Sequence, residues 1–278
     1  MLDTRIAMVQ MNSRVGETDR NIARIDRFLQ RAAAQGVDIV CFPELSVSGY
    51  NAGNTSNPVP EPVPGPSTEK LEALARKHRI WFLAGILERS PGGVVYNRQV
   101  VFTPDGVAGA FRKMHVPTSE IGTWAEGDDV AVFDHPKIRF GIEICFDSHF
   151  PELSTALAEM GAEIIFLPHA SGRGEDASEK KERWLRYMPA RAYDNNVFVA
   201  VCNQVGDTGA GRAFTGVTFV CDPRGRVIAE GRRSDREEMV VADLEAAVFN
   251  EARSEAETFF RHFRRPALYA QWAAKKLL

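Results

Sequence analysis

Twice along this chain a short apolar run gives way to an amphipathic stretch of helix length and then to another apolar run. Residues 5–10 (Arg-Ile-Ala-Met-Val-Gln) read as a strand. Residues 18–35 read as a helix, with Ile22, Ile25, Leu29 and Ala32 on one face and Gly36 as its stop, and residues 37–43 as a second buried strand. The later series runs from an apolar strand beginning at Ile138, through a helix at 151–160 closed by Gly161 and a strand at 163–168, to a helix over about 176–194 and a strand at 197–202. Short loops and uniformly apolar strands imply parallel neighbours covered by helices. Between the series lie a helix at 67–79 and strands at 80–86, 94–103 and 107–112. After them come strands at 216–221, 226–230 and 239–243, the first two joined by the turn Asp222-Pro223-Arg224-Gly225. That is too many strands for one modest sheet, so an α/β fold with two sheets packed face to face, each covered by helices, is expected.

No composition break marks a boundary, so one domain over 1–278 is expected. Residues 246–278 would form a C-terminal tail, whose aromatic and basic segment Phe259–Pro266 is available to pack on a neighbouring subunit. A net charge of −3 gives no reason to expect a nucleic-acid partner. No apolar run reaches the length of a membrane span and the N-terminus lacks a signal-peptide core, so a cytoplasmic protein without a membrane partner is expected. The four cysteines, at 41, 145, 202 and 221, show no C-x-x-C pairing, and the six histidines show no metal-binding spacing, so neither a disulfide framework nor a metal site is expected.

Three of the cysteines lie inside apolar runs, where packing explains them. Cys145 differs, because the segment Ile138-Arg-Phe-Gly-Ile-Glu-Ile-Cys-Phe-Asp-Ser-His-Phe-Pro-Glu152 ends a strand at the thiol and turns toward Pro151, a suitable first residue for a helix. A thiol at such a corner faces unpaired backbone N–H groups that favour thiolate and supply donors for an oxyanion. Glu44 follows the second strand between Phe42-Pro43 and Leu45, where a poorly solvated carboxylate suits a general base. Lys113 leaves the strand at 107–112, and if it points inward it needs an anionic partner. Glu120 lies seven residues on in a loop, where acids are usually solvated; its spacing from Lys113 permits a shared site. Residues 51–66, rich in Pro, Asn and Gly, read as a loop at a pocket rim. A Cys145–His149 or Cys145–His169 pair is the alternative constellation. The loop Gly206-Asp-Thr-Gly-Ala-Gly211-Arg212-Ala213 resembles a phosphate-binding loop, but Arg and Ala replace the Lys and Ser/Thr that such a loop needs.

Taken together, Phe42-Pro43-Glu44-Leu45, Arg112-Lys113-Met114-His115 and Ile144-Cys145-Phe146-Asp147 resemble, in order and spacing, the three signature segments of the nitrilase-type carbon–nitrogen hydrolases. The resemblance extends through Tyr96-Asn97, Pro168-His169-Ala170-Ser171, Arg191-Ala192-Tyr193 and Arg264-Arg265-Pro266. It implies a four-layer α-β-β-α sandwich with two mixed sheets, a homodimer or higher oligomer, and a thiol hydrolase with a Glu-Lys-Cys triad. Such an enzyme releases ammonia from a small carboxamide or N-carbamoyl compound, or in the alternative acts on a nitrile, with no cofactor. By motif, Cys145 is the nucleophile, Glu44 the general base, Lys113 the oxyanion stabiliser helped by the Phe146 N–H, and Glu120 the second glutamate that orients lysine or substrate. Tyr50, His169 and Glu143 are counted with the substrate-binding residues. Arginines that hold a substrate carboxylate in some carbamoyl-amino-acid hydrolases are replaced after Cys145 by Phe146-Asp147-Ser148-His149, leaving Arg173 or another loop cation for that role. Glu143 stands where relatives are apolar; strand alternation puts it on the face of Cys145, as a paired structural acid or as a contact for a cationic substrate.

Overall fold

The computed structural model describes residues 1–53, 58–172 and 174–273. The first half runs β1 (Thr4–Gln10), α1 (Thr18–Ala33), β2 (Ile39–Cys41), α2 (Pro66–His78), β3 (Trp81–Arg89), β4 (Val95–Thr103) and β5 (Gly106–Arg112). The second half runs β6 (Val132–His135), β7 (Ile138–Ile142), α3 (Pro151–Glu159), β8 (Ile164–His169), α4 (Ala177–Leu185), α5 (Met188–Asn195) and β9 (Phe198–Asn203). A two-strand hairpin, β10 (Gly206–Asp207) and β11 (Ala213–Phe214), precedes β12 (Thr218–Cys221), β13 (Val227–Glu230), β14 (Glu238–Leu244), α6 (Ala246–Ser254) and α7 (Pro266–Ala273).

The strands form two mixed six-stranded sheets, ordered β14-β1-β2-β3-β4-β5 and β13-β12-β9-β8-β7-β6. Each has a parallel trio, β1-β2-β3 or β7-β8-β9, flanked by antiparallel strands. Alternation along the strands sorts the core. Ala7, Val9, Val40, Phe82 and Val100 pack beneath Ile25 and Leu29 of α1 and Leu71 of α2. Their neighbours Ile6, Met8, Ile39, Cys41 and Leu83 join Phe140, Ile142, Phe166 and Val201 of the second sheet in one cluster. The expected face-to-face sheets are present.

Two expectations need correction. The helix expected over 176–194 is two helices, α4 and α5. Pro189 falls in the first turn of the second; a proline inside one continuous helix would remove an i→i−4 bond and clash with the preceding turn, so the chain breaks at Arg186-Tyr187 and restarts. The C-terminal tail also begins on its own molecule: Phe249 of α6 is buried and stacks on Phe198 of β9. Further on, Phe263, Tyr269 and Trp272 are exposed. Among the described residues no helix is long and apolar enough to cross a membrane.

Candidate active site

The strand ends of both sheets meet at one place. Glu44 follows β2, Lys113 follows β5, Cys145 lies three residues past β7, and Ala170 follows β8. Glu44 and Lys113 are completely buried. The Lys113 ammonium donates to Glu44 Oε1 at 2.8 Å and to Glu120 Oε2 at 2.7 Å. Asn97 Nδ2 donates to the same Glu44 oxygen at 2.7 Å, and Ala170 N to the other, Oε2, at 2.7 Å. Gln204 Nε2 holds the Glu44 carbonyl at 2.7 Å. Glu120 also accepts from Tyr50 Oη at 2.7 Å and from Trp124 Nε1 at 3.0 Å. Each carboxylate is thus fixed by a charge-assisted bond and at least two neutral donors, as burial of an ionised group requires.

Cys145 opens a short 3-10 helix (Cys145–His149) with φ +52°, in the left-handed region that a residue with a Cβ seldom adopts. Asp147 braces this corner by accepting from Ile144 N at 3.0 Å and from His115 N and His115 Nδ1 at 2.8 Å each. Arg191 Nε closes it from α5 through Ser148 O at 3.1 Å.

The charges interact strongly. Burial pushes the Cys145 thiol well above its ordinary pKa; Glu44 pushes it further up, Lys113 opposes, Glu120 adds to the rise, and the Ala170 N–H lowers it. This runs against the expectation that the corner by itself favours thiolate: a half-buried thiol near two carboxylates keeps its proton until a base takes it. Burial alone would lower the Lys113 pKa, but Glu44, Cys145 and Glu120 outweigh it and the ammonium is held charged. The Glu120 carboxyl is raised by burial, against the opposing pull of Lys113.

Above this buried floor lies a cavity of about 460 Å³, lined by Tyr50, Glu120, Cys145, Phe146, His169 and Ala170 among others. His169 is buried against Trp184, ring centroids 4.5 Å apart, and burial lowers its pKa to about 3, with the Leu167 carbonyl opposing. Its Nδ1 lies 2.8 Å from Leu167 O, so the neutral ring carries its proton there and Nε2 is an acceptor. Nε2 has no hydrogen-bond partner among the described residues. So weak a base does not deprotonate a thiol at neutral pH, which removes the ground for a Cys145–His169 pair. His149 is exposed and stacks on Tyr187 with ring centroids 4.5 Å apart.

Glu143 is not part of this wall. The strand ends at Ile142, so alternation does not carry through to Cys145, and Glu143 turns toward α3, where Ser154 Oγ donates to its Oε1 at 2.5 Å. The reading of Glu143 as a substrate contact is therefore corrected to that of a buried structural acid. Arg173 lies outside the described residues, as do residues 54–57 of the expected rim loop; the described part of that loop does not line the cavity. Trp124, Gln204, Arg183, Trp184, Tyr187 and Arg212 were not singled out as site residues from the sequence. Only Gln204, an amide next to the apolar run of β9, carried a usable signal. Among the described residues no group of three or more His, Cys, Asp or Glu side chains is arranged to hold a metal ion.

An acid, an amine and a thiol brought together from the strand ends of an α-β-β-α sandwich define a class of thiol hydrolase, and comparison with known proteins gives the family. The profile described as carbon–nitrogen hydrolase matches residues 5–254. The chain is 31% identical to the omega-amidase NIT2 of Homo sapiens over 97% of this chain and 98% of that protein. It is 32% identical to an (R)-stereoselective amidase of Pseudomonas sp over 87% of this chain and 85% of that protein. It is also 32% identical to a nitrilase of Pyrococcus abyssi over 87% and 89%. Among solved structures, a carbon–nitrogen hydrolase from Helicobacter pylori G27 superposes with a TM-score of 0.83 at 24% identity, covering 98% of this chain and 99% of that one. Nit3 of Saccharomyces cerevisiae superposes with a TM-score of 0.79 at 26% identity, covering 93% and 97%. The chain belongs to the carbon–nitrogen hydrolase family, enzymes that act on non-peptide C–N bonds.

Proposed function

We propose that the protein hydrolyses a primary carboxamide or N-carbamoyl group through a thioester on Cys145, releasing ammonia. The observation that supports this most is the Lys113 ammonium held between Glu44 and Glu120 within electrostatic reach of the Cys145 sulfur. Glu44 takes the thiol proton as sulfur bonds to the carbonyl carbon. Two of the three Lys113 donors are used by the carboxylates. The third, with the Phe146 N–H, meets the oxygen that becomes negative. His169 Nε2 accepts from the amide NH2. Glu44 then protonates that nitrogen, the C–N bond breaks and ammonia leaves. Water, deprotonated by Glu44, attacks the thioester and frees acid and thiol. Glu120 and Tyr50 keep Lys113 in place.

The Pyrococcus relative supports a second reading, attack on a nitrile by the same thiol. Carboxamides, ureido acids and nitriles assayed for ammonia, with intact mass to find an acyl adduct on Cys145, separate the two. Cys145→Ala should abolish turnover, and Lys113→Gln should lower it by about a hundredfold or more, because it removes the charged oxyanion donor. Ammonia release that survives Cys145→Ala would end the proposal. We also assign one catalytic domain over 1–278, a cytoplasmic location in keeping with four free cysteines, and a homodimer or higher homo-oligomer using the exposed Phe263, Tyr269 and Trp272. Sedimentation of the Trp272→Ala protein tests the last point.

A further inference from the structure

Glu143 is a buried ionisable group that the proposed chemistry leaves unused, and it stands two residues before the nucleophile. Its N–H donates to Phe166 O at 3.0 Å, where β7 runs out beside β8. Its side chain is completely buried, and among the described residues that side chain has one hydrogen-bond partner, the equally buried Ser154 of α3. Glu44 and Glu120, by contrast, each receive the Lys113 ammonium and two neutral donors. A single hydroxyl falls far short of what a buried carboxylate needs, so the fold holds Glu143 as the neutral acid. Burial accordingly raises its pKa to about 8.

A different acid braces the corner that carries Cys145. Asp147 accepts from Ile144 N on one side, and from Met114 N, His115 N and His115 Nδ1 on the other. One carboxylate therefore ties the corner of the thiol to the chain just past Lys113. Arg191 of α5 supports the far end, Nε donating to Ser148 O at 3.1 Å and Nη2 to His149 O at 3.3 Å. Among the described residues Arg191 makes no ion pair. The groups that meet Glu143 are then Ser154 from α3, the Phe166 carbonyl from β8, Asp147 from the corner and Arg191 from α5. A negative charge on Glu143 would face Asp147 as a buried like charge and Arg191 as its counter-ion. It would push Asp147 from its N–H donors and draw Arg191 off the two carbonyls.

We propose that Glu143, kept neutral, is a positioning residue for the nucleophile. It lets Asp147 and Arg191 hold the corner, so that the Cys145 sulfur and the Phe146 N–H stay in register with the Lys113 ammonium. Ionisation of Glu143 releases that register, and the rate falls on the alkaline side through a group that never touches substrate. This rests on the hydrolase reading of the cavity, in which sulfur and Lys113 must meet the same carbonyl.

Two measurements test it. Ammonia release is followed with butyramide, or with whichever compound of the amide and ureido-acid panel is turned over fastest. From about pH 7 to about pH 9 the wild type should lose about tenfold in kcat, as one essential proton leaves. Glu143→Gln keeps the shape and cannot ionise, so it should hold its rate across that range. Glu143→Met, apolar and of similar length, should do the same and serves if the first variant folds poorly. Hydrogen exchange, corrected for its intrinsic pH dependence, reads the corner without substrate. Protection of peptides covering 144–149 should fall above pH 8 in the wild type and in neither variant, with circular dichroism unchanged in all three. A purely structural acid would alter stability and leave the three pH profiles parallel. No limb in the wild type, a limb shared by both variants, or corner protection that stays level across pH 8 each overturns the proposal. If no amide, ureido acid or nitrile yields ammonia, the hydrolase reading fails, and the exchange measurement alone decides whether Glu143 holds the corner.

Discussion

Glu143 sits one strand-end away from the candidate site with Ser154 as its hydrogen-bond donor, while its second oxygen has no partner among the described residues. Burial raises its pKa to about 8; Ser154 opposes the rise, Asp147 adds to it and the Arg191 guanidinium works against it. Near neutrality this carboxyl therefore carries a proton that the unfolded chain would have lost. The folded state binds the more protons between the unfolded value near 4.5 and the folded value near 8, so stability declines as pH rises across that window. The contribution is complete below the window and gone above it. Glu143→Gln keeps the shape and removes the titration. Denaturant unfolding of the two proteins from pH 4.5 to 8.5, a range of roughly four units spanning the window, should show the wild type losing on the order of a few kcal/mol relative to the variant. Parallel curves would mean that Glu143 stays ionised in the fold.

At the scale of elements, the proposed active site depends on two tight corners, at Leu45 (φ +50°) and Cys145 (φ +52°). The first needs room beneath it, and β3 provides it at Gly85: a Cβ there would lie 2.2 Å from Leu45 N. A methyl group cannot fit without moving the turn that carries Glu44. Gly85→Ala should cost about 1–3 kcal/mol in denaturant stability and lower turnover by more than the loss of folded protein explains. Unchanged kinetics in that variant would show that the Glu44 turn adapts. The strands were legible in the sequence because their residues are apolar and bounded by turn signals, and Glu44, Lys113 and Cys145 because each is a reactive group at a strand end. Neither kind of signal reports what an element packs against. Pro189 was in plain view, yet it reads equally well as an early residue of one helix or as the restart of another. The donors to Glu44 and Glu120 come from as far away as Ala170 and Tyr50, through contacts that no local pattern encodes. Arg212 was visible only as a defect in a loop of another kind; its place beside Tyr50 on the cavity wall was not.

The whole molecule places the acid and the amine on one sheet and the thiol on the other, so the site exists only while the sheets stay packed. Glu44 is itself bonded across that interface, to Ala170 N beyond β8 and Gln204 Nε2 beyond β9. The cluster beneath these bonds joins Leu83 and Met8 of the first sheet to Phe140 and Phe166 of the second, all completely buried. If the two sheets form one cooperative unit, loosening their interface must move every probe together. Leu83→Ala removes side-chain volume from the shared layer and should cost about 2–5 kcal/mol. Tryptophan fluorescence reports unevenly on the two halves, since Trp81 begins β3 while Trp184 lies in α4; activity reports on their junction. In a denaturant titration of Leu83→Ala, fluorescence, far-UV circular dichroism and residual turnover should shift to lower denaturant by the same amount and remain superimposable. Turnover lost well before the spectroscopic signals would show the sheets parting while each stays folded, and the assignment of one catalytic domain would fall.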